Sequence, residues 1–198
     1  MERMPDMLYA FLKSLARVVF STWFRVKAEG RERVPKEGAV IVCSNHLSMW
    51  DPVILGYVMP RKLRYMAKAE LFRIPLLRTL ITKLGAFPVK RGVVGKETIR
   101  LSLDLLEKGE MILIFPEGTR NTDGRSAAKR GAVHLAFKSG AAVVPAAITG
   151  TYRPFSKIAV RIGEPVDLDR FREAGTTEAE LAATEQVMQA IRRLAGRP

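Results

Sequence analysis

A single cysteine, Cys43, and only two histidines stand among 198 residues. One cysteine excludes an intramolecular disulfide framework, and so few Cys and His side chains leave a zinc site of that type almost no ligands. The count fits a reducing compartment. No uncharged apolar stretch approaches the roughly 18–20 residues that a spanning helix needs. The one run that comes near, Met7–Phe24, is interrupted by Lys13 and Arg17. The start MERMPD is not a basic leader and no A-x-A cleavage site follows it. The G-x-S-x-G elbow of a serine nucleophile is missing, as are internal repeats and Ser/Gly linkers. Acidic side chains are scarce: 20 Asp and Glu face 33 Lys and Arg, a net charge of +13. What remains is 47% hydrophobic. That is enough for a real core in a chain of one domain's length, so disordered and collagen-like classes drop out.

The positive excess is uneven. Residues 1–99 carry 18 basic and 8 acidic side chains, against 15 and 12 in residues 100–198. Between Arg61 and Lys96 ten cations face one carboxylate, Glu70. A solvated face usually mixes both signs, so this segment reads as a surface for an anionic partner: nucleic acid, an anionic membrane or a phosphorylated substrate. Nucleic acid is the weakest of the three, because no recognition module appears and no aromatic strip is interleaved with the cations. Residues 1–24 fit a basic amphipathic helix. Lys13, Arg17 and Ser21 share one face, and Leu8, Phe11, Leu12, Leu15, Val18, Val19 and Trp23 spread over the other. They are assigned to membrane association, with packing on the domain's own core as the alternative, and residues 25–198 to one domain.

Periodicity divides that domain into alternating strands and helices. Strands are expected at Phe24–Ala28, Ala39–Ser44, Leu63–Ala67, Ala86–Val89, Met111–Phe115, Ala142–Ile148 and Lys157–Ile162. The runs AVIVCS and MILIF are continuously apolar, as in strands buried on both faces. Helices are expected at Pro52–Val58, over Ala69–Lys83 with a break or new first turn at Pro75, at Lys96–Lys108, at Lys129–Ser139, and from about Glu178 to Ala195. Gly109 and Gly140 close two of them, and Thr177 with Glu180 is spaced as a capping box for the last. The alternation predicts a single α/β domain with a mixed, largely parallel sheet covered by helices.

Two of the apolar strands run directly into polar clusters, where such sheets place their chemistry. After AVIVCS comes Asn45-His46-Leu47-Ser48-Met49-Trp50-Asp51-Pro52. Asp51-Pro52 suits the N-cap and first turn of a helix. The four residues between His46 and Asp51 allow a tight connection in which the carboxylate accepts from one imidazole nitrogen and leaves the other as a general base. After MILIF comes Phe115-Pro116-Glu117-Gly118-Thr119-Arg120. Gly118 tolerates unusual backbone angles, Arg120 offers a planar fork for phosphate, and Glu117 either pairs with Arg120 or orients the loop. Lys68, Lys90 and Arg91 end further strands and are either solvated cations or anion ligands. The run Val143–Ile148, with Pro145, reads as core; its functional use would be to line an acyl path.

NHLSMWD and FPEGTR, 71 residues apart from His46 to Glu117, resemble the N-H-x-x-x-x-D and F-P-E-G-T-R motifs of the glycerolipid acyltransferases. GAFPVKR, from Gly85 to Arg91, resembles the second motif of that family, and VVPAAI its proline-centred fourth. The similarity spans roughly residues 25–165 and is nearest to the bacterial 1-acyl-sn-glycerol-3-phosphate acyltransferase branch. Lys90 stands where an acidic residue is frequent in the family. The resemblance implies transfer of an acyl group from acyl-CoA or acyl-acyl carrier protein to the 2-hydroxyl of lysophosphatidic acid, giving phosphatidic acid for phospholipid biosynthesis. His46 would be the base and Asp51 its orienting partner. Lys68 and Arg120 would hold the phosphate, Arg91 would help bind the acceptor, and Glu117, Gly118 and Thr119 would shape the pocket. No metal or cofactor is implied. Attachment would be peripheral, to an anionic membrane surface on the cytoplasmic face of the cell membrane. The alternatives are another lysolipid acceptor, or a non-catalytic binder of anionic lipid.

Overall fold

Val40–Ser44 is buried along its whole length, as its unbroken apolar sequence requires of a strand covered on both sides. The structure, a computed structural model, describes residues 24–89, 95–119 and 128–196. The amphipathic segment assigned to membrane association therefore lies outside the described residues, apart from Phe24. The strands are β1 (Phe24–Glu29), β2 (Val40–Ser44), β3 (Leu63–Lys68), β4 (Ala86–Val89), β5 (Met111–Ile114), β6 (Ala142–Gly150) and β7 (Ser156–Ile162). They form one sheet in the order β1-β7-β6-β2-β5-β3-β4. Five pairings are parallel and only β6 with β7 is antiparallel, so the expected mixed, largely parallel sheet is what forms.

Helices cover both faces. On one side lie α1 (Asp51–Val58) and α2 (Pro75–Lys83), whose Ile54, Leu55, Val58 and Ile81 pack with Val40, Val42, Leu113 and Ile148. On the other lie α3 (Lys96–Glu107), α4 (Gly131–Ser139), α5 (Asp169–Ala174) and α6 (Thr177–Leu194). Their Leu106, Leu135, Ala183, Val187 and Ile191 pack with Ile41, Cys43 and Ile112. Alternate residues of β2 thus feed opposite cores, which is the period-two geometry of a strand. Among the described residues no helix is long and apolar enough to cross a membrane.

One local expectation is corrected, one element is added, and the break expected at Pro75 is found. The cap of α6 is Thr176, whose hydroxyl accepts from the Ala179 amide at 3.1 Å. Thr177 is already helical, and the Glu180 carboxylate turns away to His134 and Arg130. The short helix α5 was not expected, since its six residues carry too little periodicity to read. Over 69–83 the chain makes a 3-10 turn, Ala69–Arg73, and then starts α2 afresh at Pro75. The loss of the proline amide costs nothing at a first turn.

Pro145 sits inside β6, where a missing amide would normally break a ladder. Its carbonyl accepts from the Gly163 amide at 2.8 Å, one residue past the end of β7. In a strand the amide and carbonyl of one residue face the same side, so the absent donor points where the β7 ladder has already ended. A Cβ at Gly163 would lie 2.9 Å from the proline ring. The fourth-motif proline thus packs against this turn, on the side of the sheet that carries α6.

Part of the cationic excess is structural. Arg61 donates to the carbonyls of Pro35, Gly38 and Gly109, tying loops together at the edge where β3 begins. Arg64 pairs with Glu110 at 2.6 Å and holds its carboxyl below the ordinary range.

Candidate active site

The strands β2 to β6 all run the same way, so their C-terminal ends share one edge. There β2 releases Asn45 and His46, and β5 releases Phe115 to Thr119. Asn45 fastens the first loop. Its amide donates to the Ile148 carbonyl at 2.9 Å and its carbonyl accepts from the Ile148 amide at 2.8 Å, giving β6 two bonds that mimic a strand partner.

His46 Nδ1 lies 2.7 Å from Asp51 Oδ2. The carboxylate is fully buried, while the imidazole keeps 17% of its surface. Burial of a lone carboxylate is costly, and four donors offset it here. Oδ2 accepts from His46, from the Leu47 amide at 2.6 Å and from the Ser48 amide at 2.8 Å; Oδ1 accepts from the Tyr152 hydroxyl. Oδ2 already serves as the acceptor for two backbone amides, so in its bond to His46 Nδ1 is the donor and Nε2 keeps its lone pair.

Asp51 does not act as the expected N-cap. It is the first residue of α1, Trp50 is the flanking residue, and no side chain caps the helix. The carboxylate turns back to hold the 47–48 loop instead. Its charge still sits in the first helical turn, where the dipole favours it.

The second loop closes over the imidazole. The Phe115 ring stacks on it at 4.0 Å between centroids and 13° between planes. Glu117, itself buried, accepts from the His46 amide at 3.4 Å. Gly118 has φ +70°, a backbone conformation that favours glycine, and a Cβ there would need the flexible Lys129 side chain, 3.1 Å away, to shift only slightly. Thr119 is exposed beside it. Lys68 ends β3 at the same edge and pairs with Glu70 at 3.7 Å. Arg91 and Arg120 lie outside the described residues.

Burial pushes the Cys43 thiol up to about 12, so the one cysteine of the chain supplies no thiolate for covalent catalysis. The Tyr152 hydroxyl is raised above its ordinary range, chiefly by burial and then by its bond to Asp51, so it remains a donor. Sequence reasoning missed Tyr152, the stacking of Phe115 and the Asn45 clamp. Only the topology, which returns β6 to the side of β2, brings residue 152 to residue 51.

The profile of the family described as Acyltransferase matches residues 25–149. A 1-acyl-sn-glycerol-3-phosphate acyltransferase of Bacillus subtilis (strain 168) is 33% identical over 94% of this chain and 96% of its own. The chain belongs to the acyltransferase family. A second relative of the same name, from Borreliella burgdorferi, is 29% identical over 75% of this chain and 62% of its own. The crystal structure of the 1-acyl-sn-glycerophosphate (LPA) acyltransferase PlsC from Thermotoga maritima superposes with a TM-score of 0.77 at 30% identity. It matches 97% of this chain and 80% of that one. The acyltransferase described here thus shares its seven-stranded architecture with a solved relative.

Proposed function

We propose that this acyltransferase moves a fatty acyl group from a thioester to the 2-hydroxyl of 1-acyl-sn-glycerol 3-phosphate, giving phosphatidic acid. One observation carries the reading: a buried, four-fold hydrogen-bonded carboxylate on His46 Nδ1, with no partner for Nε2 among the described residues. Nε2 takes the proton of the acceptor hydroxyl, and the oxygen attacks the thioester carbonyl carbon. The carbon–sulfur bond breaks, and the departing thiolate takes the proton back from the imidazolium. Asp51 stabilises the positive charge between the two transfers. No acyl-enzyme is needed. Lys68 and Arg120 hold the acceptor phosphate, Arg91 helps bind the acceptor, and Glu117, Gly118 and Thr119 shape the pocket around it. Both acyl-CoA and acyl-acyl carrier protein present the same thioester. The chain works at the cytoplasmic face of the cell membrane, anchored in part by residues 1–24.

The test is thiol release from a long-chain acyl-CoA, with acyl-acyl carrier protein as a second donor and lysophosphatidic acid or lysophosphatidylcholine as acceptor. Release that requires lysophosphatidic acid supports the reading. Release only with lysophosphatidylcholine replaces the acceptor, and no release with any pair removes the activity.

Tyr152 acts as a positioning residue through Asp51. Tyr152→Phe keeps the ring that packs edge-on to Phe24 at 6.0 Å and removes one hydrogen bond to a charged group. The carboxylate then concentrates its charge on the imidazolium, so the acid limb of kcat/KM should move to higher pH. The carboxylate also loses the bond that anchors its far oxygen, so the imidazole is held less firmly, and a fall in kcat of about tenfold, with acceptor KM unchanged, is expected. An unmoved pH profile would assign the hydroxyl a packing role only.

A further inference from the structure

Eight large apolar side chains are exposed among the described residues: Met49, Trp50, Leu71, Ile74, Leu76, Leu80, Phe155 and Leu181. Their distribution over the sheet is one-sided. Met49 and Trp50 follow the C-terminal end of β2. Leu71, Ile74 and Leu76 follow that of β3, and Phe155 joins the end of β6 to the start of β7. All six leave the sheet at the edge that carries His46. The turns of the opposite edge, at 59–62, 84–85, 108–110 and 140–141, contribute none. Phe24 enters β1 at the same edge, because β1 runs parallel to β7 and both run against β6.

Three properties of this edge point to one kind of partner. The first is the degree of exposure: Leu76 is 88% exposed, Phe155 70% and Met49 69%. Scattered single apolar residues are ordinary on a protein surface, but a cluster confined to one rim is a binding feature. The second is backbone strain. Phe155 is the one non-glycine residue with positive φ, 63°, among the described residues. A bulky residue in that conformation is unfavourable, and the turn keeps an aromatic ring there in water. The third is charge. Lys68, Arg73, Lys96, Lys129 and Arg153 lie on the segments that leave the sheet at this edge, against the carboxylates of Glu70, which pairs with Lys68, and Glu97.

We infer that this edge is a docking face for an anionic lipid monolayer. Phe155, Leu76, Ile74 and Met49 enter the headgroup–acyl boundary while the surrounding cations lie at phosphate level. The inference rests on the acyl-transfer reading for its purpose, since a lysolipid acceptor then reaches His46 without leaving the monolayer. It also adds to the expected membrane role of residues 1–24 a second contact within the domain itself. Apolar area combined with electrostatic attraction is what holds such interfacial segments.

The experiment compares the full chain with Phe155→Gly/Leu76→Ser and with Leu181→Ser, on vesicles of equal phosphatidylglycerol and phosphatidylcholine, by sedimentation. Glycine relaxes the backbone at 155, so the double variant is not expected to lose stability there. Its partitioning should fall at least about tenfold, with Leu181→Ser unchanged and pure phosphatidylcholine bound more weakly by the wild type. Thiol release with a short-chain, water-soluble lysophosphatidate should be the same in all three proteins. In a Trp23→Phe chain, Trp50 emission should shift to the blue on vesicle addition. Wild-type partitioning by the double variant, an equal loss in Leu181→Ser, or unshifted Trp50 emission would each overturn the docking face. Partitioning that depends on Phe155 and Leu76 without thiol release from any acceptor would keep it and reject the acyl-transfer reading instead.

Discussion

An alanine at position 46 is expected to lower kcat by about three orders of magnitude, within the range a positioned general base contributes. The substitution removes Nε2 and no core side chain. Asp51 keeps the Leu47 and Ser48 amides and the Tyr152 hydroxyl, so the loop retains its scaffold. The melting temperature and vesicle binding should therefore stay close to those of the wild type, while thiol release is lost. Steady-state assays beside a thermal melt check this. Activity within tenfold of wild type, from a folded protein, would take the base away from His46.

Asp51→Asn should have an effect of similar size for a different reason. The asparagine carbonyl can stay on the Leu47 and Ser48 amides, which leaves its NH2 facing Tyr152. That hydroxyl can turn and accept instead of donate, so the fold survives. What disappears is the negative charge that stabilises the imidazolium. We expect kcat to fall about a hundredfold or more, with the acid limb of the pH profile moving to lower pH. Tyr152→Phe moves it the opposite way. The pair of variants thus gives shifts of opposite sign from two atoms of one carboxylate, and a pH series of kcat/KM reads both. Limbs that move in the same direction would exclude an electrostatic role for Asp51.

The strands that feed the site were legible because β2 and β5 are buried on both faces, and such strands show as unbroken apolar runs. The His46–Asp51 pair was legible because both residues lie on one short loop, where spacing limits geometry. Contacts between distant segments were not legible. The Asn45 clamp onto Ile148, the Tyr152 bond and the ring of Phe115 on the imidazole depend on β6 and β5 flanking β2, an order that no local pattern encodes. The cap of α6 was misplaced by one residue because Thr176 and Thr177 offer the same hydroxyl, and only backbone angles separate them. Arg61 and Arg64 were grouped with the anion-facing cations because composition cannot tell a side chain bound to carbonyls from one waiting for phosphate.

The clamp between Asn45 and Ile148, 103 residues apart, has a consequence for biosynthesis. The ribosome delivers His46 and Asp51 before β5 at 111–114, β6 at 142–150 and the tyrosine at 152, which their geometry needs. A nascent chain therefore carries the reactive pair for about a hundred further residues without the scaffold that aligns it. Competence arrives only after Tyr152 has emerged and the centre of the sheet closes.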